Sequence, residues 1–272
     1  MLTRIISSVI LIPLAVYCLY AGGVPLATLL LIVSLFGLNE FFNLCAHKAV
    51  NCFTVPAYVI TVIYYINIHF SFLNDKVHRF EFSPILVLGF VFLILWLQFY
   101  KRIHNSILDV SATAFAYLYI PVFLSFAMYI RNLEYGRNLL FTSMLLIWAA
   151  DTFAYFGGMA FGRFSRRLSP DISPKKSVVG VYSGLMASSF FAVMAFRYLN
   201  VPSIPFWGYI AYAFILNSFS VIGDLIESQF KRDCEIKDSS GLIPGHGGML
   251  DRIDSLLLVL PFSYYYFIFF LR

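Results

Sequence analysis

The chain has 272 residues, of which 60% are hydrophobic and only 12% are charged, and its mean hydropathy is +0.81. This balance excludes an ordinary soluble domain and predicts an integral membrane protein. The net charge of +5 does not require a nucleic-acid partner, because the basic loops of a membrane protein face anionic lipid.

Apolar stretches long enough to cross a bilayer as helices recur from one end of the chain to the other. The first follows Arg4 and resembles a signal peptide, but no small-residue cleavage site comes after it. We therefore interpret it as a retained helix and count nine spans. The predicted spans are residues 5–20, 25–44, 53–73, 82–100, 107–130, 139–157, 178–199, 206–222 and 255–271.

The positions of Lys and Arg predict the orientation of these spans. With nine spans and a cytoplasmic N-terminus, 13 of the 19 basic residues fall in cytoplasmic loops, as the positive-inside rule requires. The predicted fold is an all-α, polytopic membrane protein with about nine transmembrane helices. Residues 1–272 form a single membrane domain, with N-terminal spans in 1–137 and spans plus polar cytoplasmic loops in 138–272.

Two carboxylates lie inside or beside predicted spans. Glu40, near the inner end of the second span, is interpreted as an ordinary interfacial charge outside any site. Asp151 lies within the sixth apolar stretch, where a carboxylate is costly and by default functional. The alternative is a span that ends at Ala150 and leaves Asp151 hydrated at a helix end.

The loop at 161–177 contains five basic residues against the single carboxylate of Asp171. Such a loop is a topology determinant, and it also suits an anionic headgroup, because each basic residue near an anionic surface contributes about 1 kcal/mol. Lys175 and Lys176 are the better candidates for contact with substrate.

Residues 224–254 hold seven of the 14 acidic residues. Asp224, Glu227 and Ser228 are spaced to share one face of a helix that continues out of the eighth span. A second helix that begins near Leu250 would bring Asp251 and the carboxylate three residues later to the mouth of the ninth span. The seven acids are Asp224, Glu227, Asp233, Glu235, Asp238, Asp251 and Asp254.

This composition predicts phosphoryl or nucleotidyl transfer rather than a solvated loop of mixed sign. Carboxylates without a His or Cys cluster suit Mg²⁺, and the interleaved lysines and arginines suit phosphate. Gly245, Gly247 and Gly248 allow backbone N–H groups to approach a phosphate closely. His246, between glycines, is interpreted as a hydrogen-bond donor or turn residue rather than a base.

The C-terminal half contains a series of short motifs that combine carboxylates, basic residues and glycines. They are Asp151-x-x-Ala-Tyr155, Gly162-Arg163, Ser173-Pro-Lys-Lys176, Gly223-Asp224-Leu-x-Glu-Ser228, Ser228-x-Phe-Lys231-Arg232, Lys237-Asp238, Pro244-Gly-His-Gly-Gly248 and Asp251-Arg252-x-Asp254. Together these motifs resemble the signature of the phosphatidate cytidylyltransferases, or CDP-diacylglycerol synthases. The resemblance implies that CTP and phosphatidate give CDP-diacylglycerol and pyrophosphate, with Mg²⁺ bound by Asp224 and Asp251. One departure is Ser177-Val-Val-Gly180, where family members usually have threonine, tryptophan, glutamate and glycine.

On this basis the predicted catalytic residues are Asp224, Asp251, Asp254 and Asp151, with Asp224 and Asp251 as the Mg²⁺ ligands. The predicted substrate-binding residues are Lys175, Lys176, Ser228, Lys231, Arg232, Lys237, Asp238, His246, Gly247, Gly248 and Arg252.

Two other functions remain open from the residues. A CTP-dependent lipid or polyprenol kinase would use the same metal and basic loop but transfer the γ-phosphoryl group. An ion-coupled transporter would use Asp151 and Asp224 as coupling carboxylates, but it leaves the glycine-rich motif without a role. The expected location is a bacterial inner membrane with the site facing the cytoplasm; a homodimer is compatible with the sequence, which does not define the oligomeric state.

Overall fold

The computed structural model describes residues 2–73, 82–99, 105–199, 201, 203–242 and 247–271, and helices make up 82% of these described residues. The helices are α1 (Leu2–Ala21), α2 (Gly23–His47), α3 (Thr54–Leu73), α4 (Phe82–Gln98), α5 (Ser106–Tyr117), α6 (Phe123–Arg131), α7 (Gly136–Phe161), α8 (Val178–Leu199), α9 (Phe206–Asp233) and α10 (Leu250–Leu271). A π-helical turn at Leu118–Val122 joins α5 to α6, and a 3₁₀ turn at Gly162–Phe164 follows α7.

Every stretch predicted as a span is helical where the structure describes it, except at Phe53 and Phe99, which lie just outside α3 and α4. Within the described ranges, seven helical segments are long and apolar enough to cross a membrane, whereas Leu11–Ala21 and Leu88–Gln98 are shorter apolar helices. The seven are Gly23–His47, Thr54–Phe72, Ser106–Arg131, Gly136–Phe164, Val178–Tyr198, Phe206–Asp233 and Leu250–Leu271. The protein is therefore a helical membrane protein.

The mostly helical fold includes a short β-hairpin that the all-α prediction did not contain, in the basic loop after α7. Strand β1 (Arg167–Ser169) pairs antiparallel with β2 (Ser173–Ser177). Pro174 favours extended backbone because its ring fixes φ and removes a donor. The backbone N–H of Val178 donates to the carbonyl of Arg166 at 3.0 Å, which closes the hairpin just before α8 begins.

The chain divides into two compact units. Unit 1 comprises Met1–Met128 and Cys234–Arg252, and unit 2 comprises Tyr129–Asp233 and Ile253–Arg272. In unit 1, α2 packs against α1, α3 and α5. The Tyr65 hydroxyl donates to the carbonyl of Pro121 at 3.1 Å and lies 2.9 Å from the Ser34 hydroxyl, so these two buried hydroxyls are paired.

In unit 2, α8 packs along α7 and against α9. A side chain at Gly184 would lie 2.7 Å from the carbonyl oxygen of Ala150, so glycine allows the two backbones to approach closely. The Tyr212 hydroxyl lies 2.6 Å from the hydroxyls of both Ser143 and Ser263, which links α7, α9 and α10. These contacts hold the helices that carry the acidic residues.

Candidate active site

Four predicted site residues come together in unit 2. Asp151 lies on α7, Lys176 on β2, Asp224 on α9 and Asp254 on α10. The charges of Asp151 and Asp254 interact with those of Asp224 and Lys176. We refer to these four residues as the acidic cluster.

Close packing of α9 on α10 places Asp224 beside Asp254. A side chain at Gly223 would lie 2.5 Å from the carbonyl oxygen of Asp254, so any residue larger than glycine would push the helices apart. Asp254 itself is fixed by the backbone N–H of Ser255, which donates to its Oδ1 at 2.6 Å. In the motif Gly223-Asp224, the glycine therefore allows α9 to approach the backbone of α10, and the next residue supplies a carboxylate.

The Asp224 carboxylate is held on both of its oxygens. Lys176 Nζ lies 2.5 Å from Oδ2, and the Ser228 hydroxyl donates to Oδ1 at 3.2 Å. The side chains of Lys176 and Asp224 keep 25% and 35% of their exposed area, so a ligand can reach both. Strand β2 and helix α9 thus bring a lysine and a carboxylate together at a position that a ligand can reach.

Asp151 lies within α7, which continues for ten residues beyond it to Phe161. The helix therefore does not end at Ala150, and Asp151 is not a residue at a helix end. Its side chain is exposed, as are those of Thr152 and Phe153. Asp151 contributes charge to the acidic cluster from the middle of a helix.

The acidic cluster suits a hard divalent cation. Three carboxylates and one ammonium sum to a formal charge of minus two, and all the acidic donors are oxygen, the element that Mg²⁺ prefers. Among the described residues, no group of three or more His, Cys, Asp or Glu side chains converges as a ready metal cage. Mg²⁺ is usually bound by one or two carboxylates together with substrate phosphates and water.

Asp251 lies in unit 1, where its carboxylate organises the loop before α10. Its Oδ2 accepts the backbone N–H of Gly248 at 2.8 Å and both the backbone N–H and the hydroxyl of Ser239, at 3.2 and 3.1 Å. Gly247 adopts a φ of +81°, which few residues other than glycine adopt. The predicted residues Asp251, Gly247 and Gly248 are therefore neighbours.

Glu40 is not an interfacial charge, and this prediction is wrong. Its side chain is 2% exposed, and it accepts hydrogen bonds from Ser239, Ser240, Met249 and Leu250. The sequence signal was present, because Glu40 lies inside an apolar stretch as Asp151 does. Its partners, about 200 positions away in the chain, could not be inferred from the sequence.

Lys231, predicted to bind phosphate, is buried and its Nζ lies 2.5 Å from Oε2 of Glu227 one helical turn earlier. Arg232 is exposed and its Nε donates to the carbonyl of Ile172 at 3.3 Å, which ties the hairpin to α9. His246 lies outside the described residues. The other predicted basic and acidic contacts, Lys175, Lys237, Asp238 and Arg252, have exposed side chains.

The sequence departure at 177–179 preserves one structural feature. The buried hydroxyl of Ser177 accepts the backbone N–H of Gly180 at 3.2 Å and caps the start of α8. Threonine, the usual residue at this position in the family that the motifs resemble, carries the same hydroxyl. The cap next to Lys176 is thus compatible with either residue.

Comparison with known proteins gives matches along the whole chain. The model of the cytidylyltransferase family matches residues 2–270. A Bacillus subtilis protein named phosphatidate cytidylyltransferase is 30% identical over 266 residues, or 96% of each chain. Proteins of the same name from Haemophilus influenzae and Thermotoga maritima are 46% and 38% identical over 143 and 162 residues. These two alignments cover 51% and 58% of this chain and 49% and 59% of the relatives, so the matched part spans about half the length of those two proteins.

The helical fold and these matches define a membrane enzyme of the nucleotidyltransferase class. The chain belongs to the cytidylyltransferase family.

Proposed function

We propose that this chain transfers CMP from CTP to phosphatidate and releases CDP-diacylglycerol and pyrophosphate. The observation that carries the proposal is the acidic cluster, in which an accessible lysine and three carboxylates belong to the sequence motifs that resemble those of the phosphatidate cytidylyltransferases. Relatives named phosphatidate cytidylyltransferase, one of them aligned over 96% of the chain, supply the substrate class.

In the proposed reaction, a phosphate oxygen of phosphatidate attacks the α-phosphorus of CTP. The bond between that phosphorus and the bridging oxygen breaks, and pyrophosphate leaves with the bonding electron pair. The nucleophile is already an anion, so the protein needs no strong base and acts by positioning and by electrostatics. No covalent enzyme intermediate forms.

The cofactor that we propose is Mg²⁺, with Asp224 and Asp251 as its ligands. Bound Mg²⁺ supplies positive charge that neutralises the CTP phosphates and the leaving pyrophosphate. Ser228 orients Asp224 through its hydrogen bond, and Asp254 and Asp151 add negative charge that favours a cation nearby. Lys176 exchanges its contact with Asp224 for a substrate phosphate when CTP binds.

The exposed basic residues are proposed to bind the phosphates of the two substrates. Lys175, Arg232, Lys237 and Arg252 have side chains in solvent and carry the charge that such anions require. Lys231 acts less directly, because its ammonium is paired with Glu227. The proposed contacts at Asp238, His246, Gly247 and Gly248 come from the same motifs.

We also propose nine spans, a cytoplasmic N-terminus and a bacterial inner-membrane location, with the site open to cytoplasmic CTP. The excess of Lys and Arg in the loops on that side supports this orientation. A test is thiol labelling in a background without the four native cysteines. Gly241 suits a reporter because it is exposed and a side chain there meets nothing within 4 Å.

An impermeant thiol reagent should spare Gly241→Cys in intact cells and label it once the membrane is opened. Ser203→Cys, at an exposed residue of the predicted outer loop, should be labelled from outside. Labelling of Gly241→Cys in intact cells would overturn the orientation and the cytoplasmic site.

The function itself is tested by product analysis. Purified full-length protein, incubated with phosphatidate, Mg²⁺ and CTP labelled on the α-phosphate, should transfer the label to the lipid and release unlabelled pyrophosphate. Label that stays in CDP, with a second phosphate gained by the lipid, would identify a kinase. CTP that is not consumed while solute accumulates in proteoliposomes would identify a transporter.

A further inference from the structure

Glu40 accepts hydrogen bonds on both of its carboxylate oxygens. Its Oε1 accepts the Ser240 hydroxyl at 2.5 Å and the Met249 backbone N–H at 2.8 Å. Its Oε2 accepts the Ser239 hydroxyl at 2.8 Å and the Leu250 backbone N–H at 2.7 Å. A buried carboxylate is tolerated when its oxygens are satisfied in this way.

The two backbone donors lie at the start of α10, which begins at Leu250. The first N–H groups of a helix have no partner within it and carry a partial positive charge, so an anion there is stabilising. Caps of this kind usually come from a residue next to the helix. Here the carboxylate comes from α2, about 210 positions earlier in the chain.

Glu40 and Asp251 are linked through Ser239. The Ser239 hydroxyl lies 2.8 Å from Glu40 Oε2 and 3.1 Å from Asp251 Oδ2, so one proton is shared between two acceptors. Gly248 leaves no space between them, because a side chain there would overlap the Ser239 hydroxyl and lie 2.5 Å from Glu40 Oε2. A shift of Glu40 therefore moves the donors that fix Asp251.

We infer that Glu40 is a positioning residue that holds Ser239 and the start of α10 so that the Asp251 carboxylate keeps its place for the cation. The inference rests on the proposed role of Asp251 in Mg²⁺ binding. Residues that orient a metal ligand typically change metal affinity by about 10- to 100-fold when they are replaced. A residue that only stabilised the fold would leave the affinity of the folded protein unchanged.

The test uses Mn²⁺ as a spectroscopic substitute for Mg²⁺, with binding measured by electron paramagnetic resonance on the purified full chain in detergent. Glu40→Gln keeps the shape of the side chain but replaces one acceptor oxygen with an NH₂ group. We expect the Kd for Mn²⁺ to rise about tenfold or more. The Mg²⁺ concentration for half-maximal synthesis of CDP-diacylglycerol should rise in parallel.

Asp109→Asn is the matched control. Asp109 is a carboxylate of the same unit that is 4% exposed and accepts a backbone N–H, that of Asn51, at 2.8 Å. None of the described hydrogen bonds joins Asp109 to Glu40 or to the four residues that donate to Glu40, so the Kd for Mn²⁺ should stay at the wild-type value. Wild-type affinity in Glu40→Gln, or an equal loss in both variants, would overturn the inference.

A second pair of variants applies if Glu40→Gln does not fold. Ser239→Ala removes the hydroxyl shared by Glu40 and Asp251, whereas Ser240→Ala removes a hydroxyl that bonds to Glu40 and to the backbone N–H of Leu242 but not to Asp251 in any described contact. We expect the larger loss of Mn²⁺ affinity in Ser239→Ala, and wild-type affinity in that variant would overturn the inference.

The failure of the inference is distinguishable from failure of the proposed function. Wild-type protein that binds Mn²⁺ but makes no CDP-diacylglycerol contradicts the function and leaves the comparison of variants readable. Asp251→Asn that binds Mn²⁺ as tightly as wild type contradicts the role of Asp251, and with it the inference about Glu40.

Discussion

The acidic cluster of unit 2 and the Glu40 site of unit 1 place carboxylates in opposite situations. Asp151 and Asp224 keep exposed area, and Asp224 has a lysine as its neighbour. Glu40 is buried and surrounded by hydroxyl and N–H donors of its own chain. Carboxylates with accessible oxygens are suited to bind a ligand, whereas a carboxylate already satisfied by the protein is suited to hold structure in place.

The largest expected effect distinguishes ligand binding from structure. Asp224→Asn should reduce CDP-diacylglycerol synthesis by on the order of 10³-fold, because the amide removes a negative charge where the proposed cation binds. The thermal unfolding midpoint should change little, since Asp224 is partly exposed. Asp233→Asn, at an exposed carboxylate at the end of the same helix, is the control and should stay near wild-type activity.

Near-normal synthesis by Asp224→Asn at saturating Mg²⁺ would show that the acidic cluster is not the site of the reaction.

A smaller effect separates two adjacent lysines. Lys176→Ala should lower kcat/KM by about 10²-fold, because it removes the cation that contacts Asp224 and then a substrate phosphate. Lys175→Ala should cost roughly fivefold at low salt and less at high salt, since its exposed side chain contributes about 1 kcal/mol near an anionic surface. The measurement is steady-state kinetics at two ionic strengths. A larger loss of kcat/KM in Lys175→Ala than in Lys176→Ala would contradict the proposed role of Lys176.

The smallest expected effect concerns the orientation of Asp224. Ser228→Ala removes a hydrogen bond of 3.2 Å to Oδ1, which is worth about 0.5–1.5 kcal/mol, so kcat/KM should fall roughly two- to tenfold. Ser218→Ala is the matched control, because that exposed hydroxyl on the same helix bonds only to the carbonyl of Phe214 among the contacts described. Equal values of kcat/KM in the two variants would show that Ser228 does not orient Asp224 for the reaction.

Local pattern predicted most of the helical fold. The length of each apolar stretch predicted a helix at that position. The spacing of Asp224 and Ser228 predicted that α9 continues beyond its apolar stretch. The start of α10 at Leu250 was predicted from the carboxylates that follow it. These features depend on neighbours within one or two helical turns, which the sequence displays directly.

The features that the sequence missed depend on distant partners. The burial of Glu40 follows from donors at Ser239, Ser240, Met249 and Leu250, and no local rule connects α2 with that loop. The hairpin at 167–177 needs two short strands to pair, and neither is apolar enough to be predicted alone. The pairing of Glu227 with Lys231, by contrast, follows from their i, i+4 spacing and was available from the sequence.

The central claim is that the accessible carboxylate of Asp224 binds the cation used in the transfer of CMP. Its most direct test is the Mn²⁺ paramagnetic resonance signal of the purified full chain, compared between wild type, Asp224→Asn and the control Asp233→Asn. We expect Asp224→Asn to lose the signal of bound Mn²⁺, and we expect the wild type and Asp233→Asn to retain it. Bound Mn²⁺ in Asp224→Asn at wild-type affinity would contradict the account.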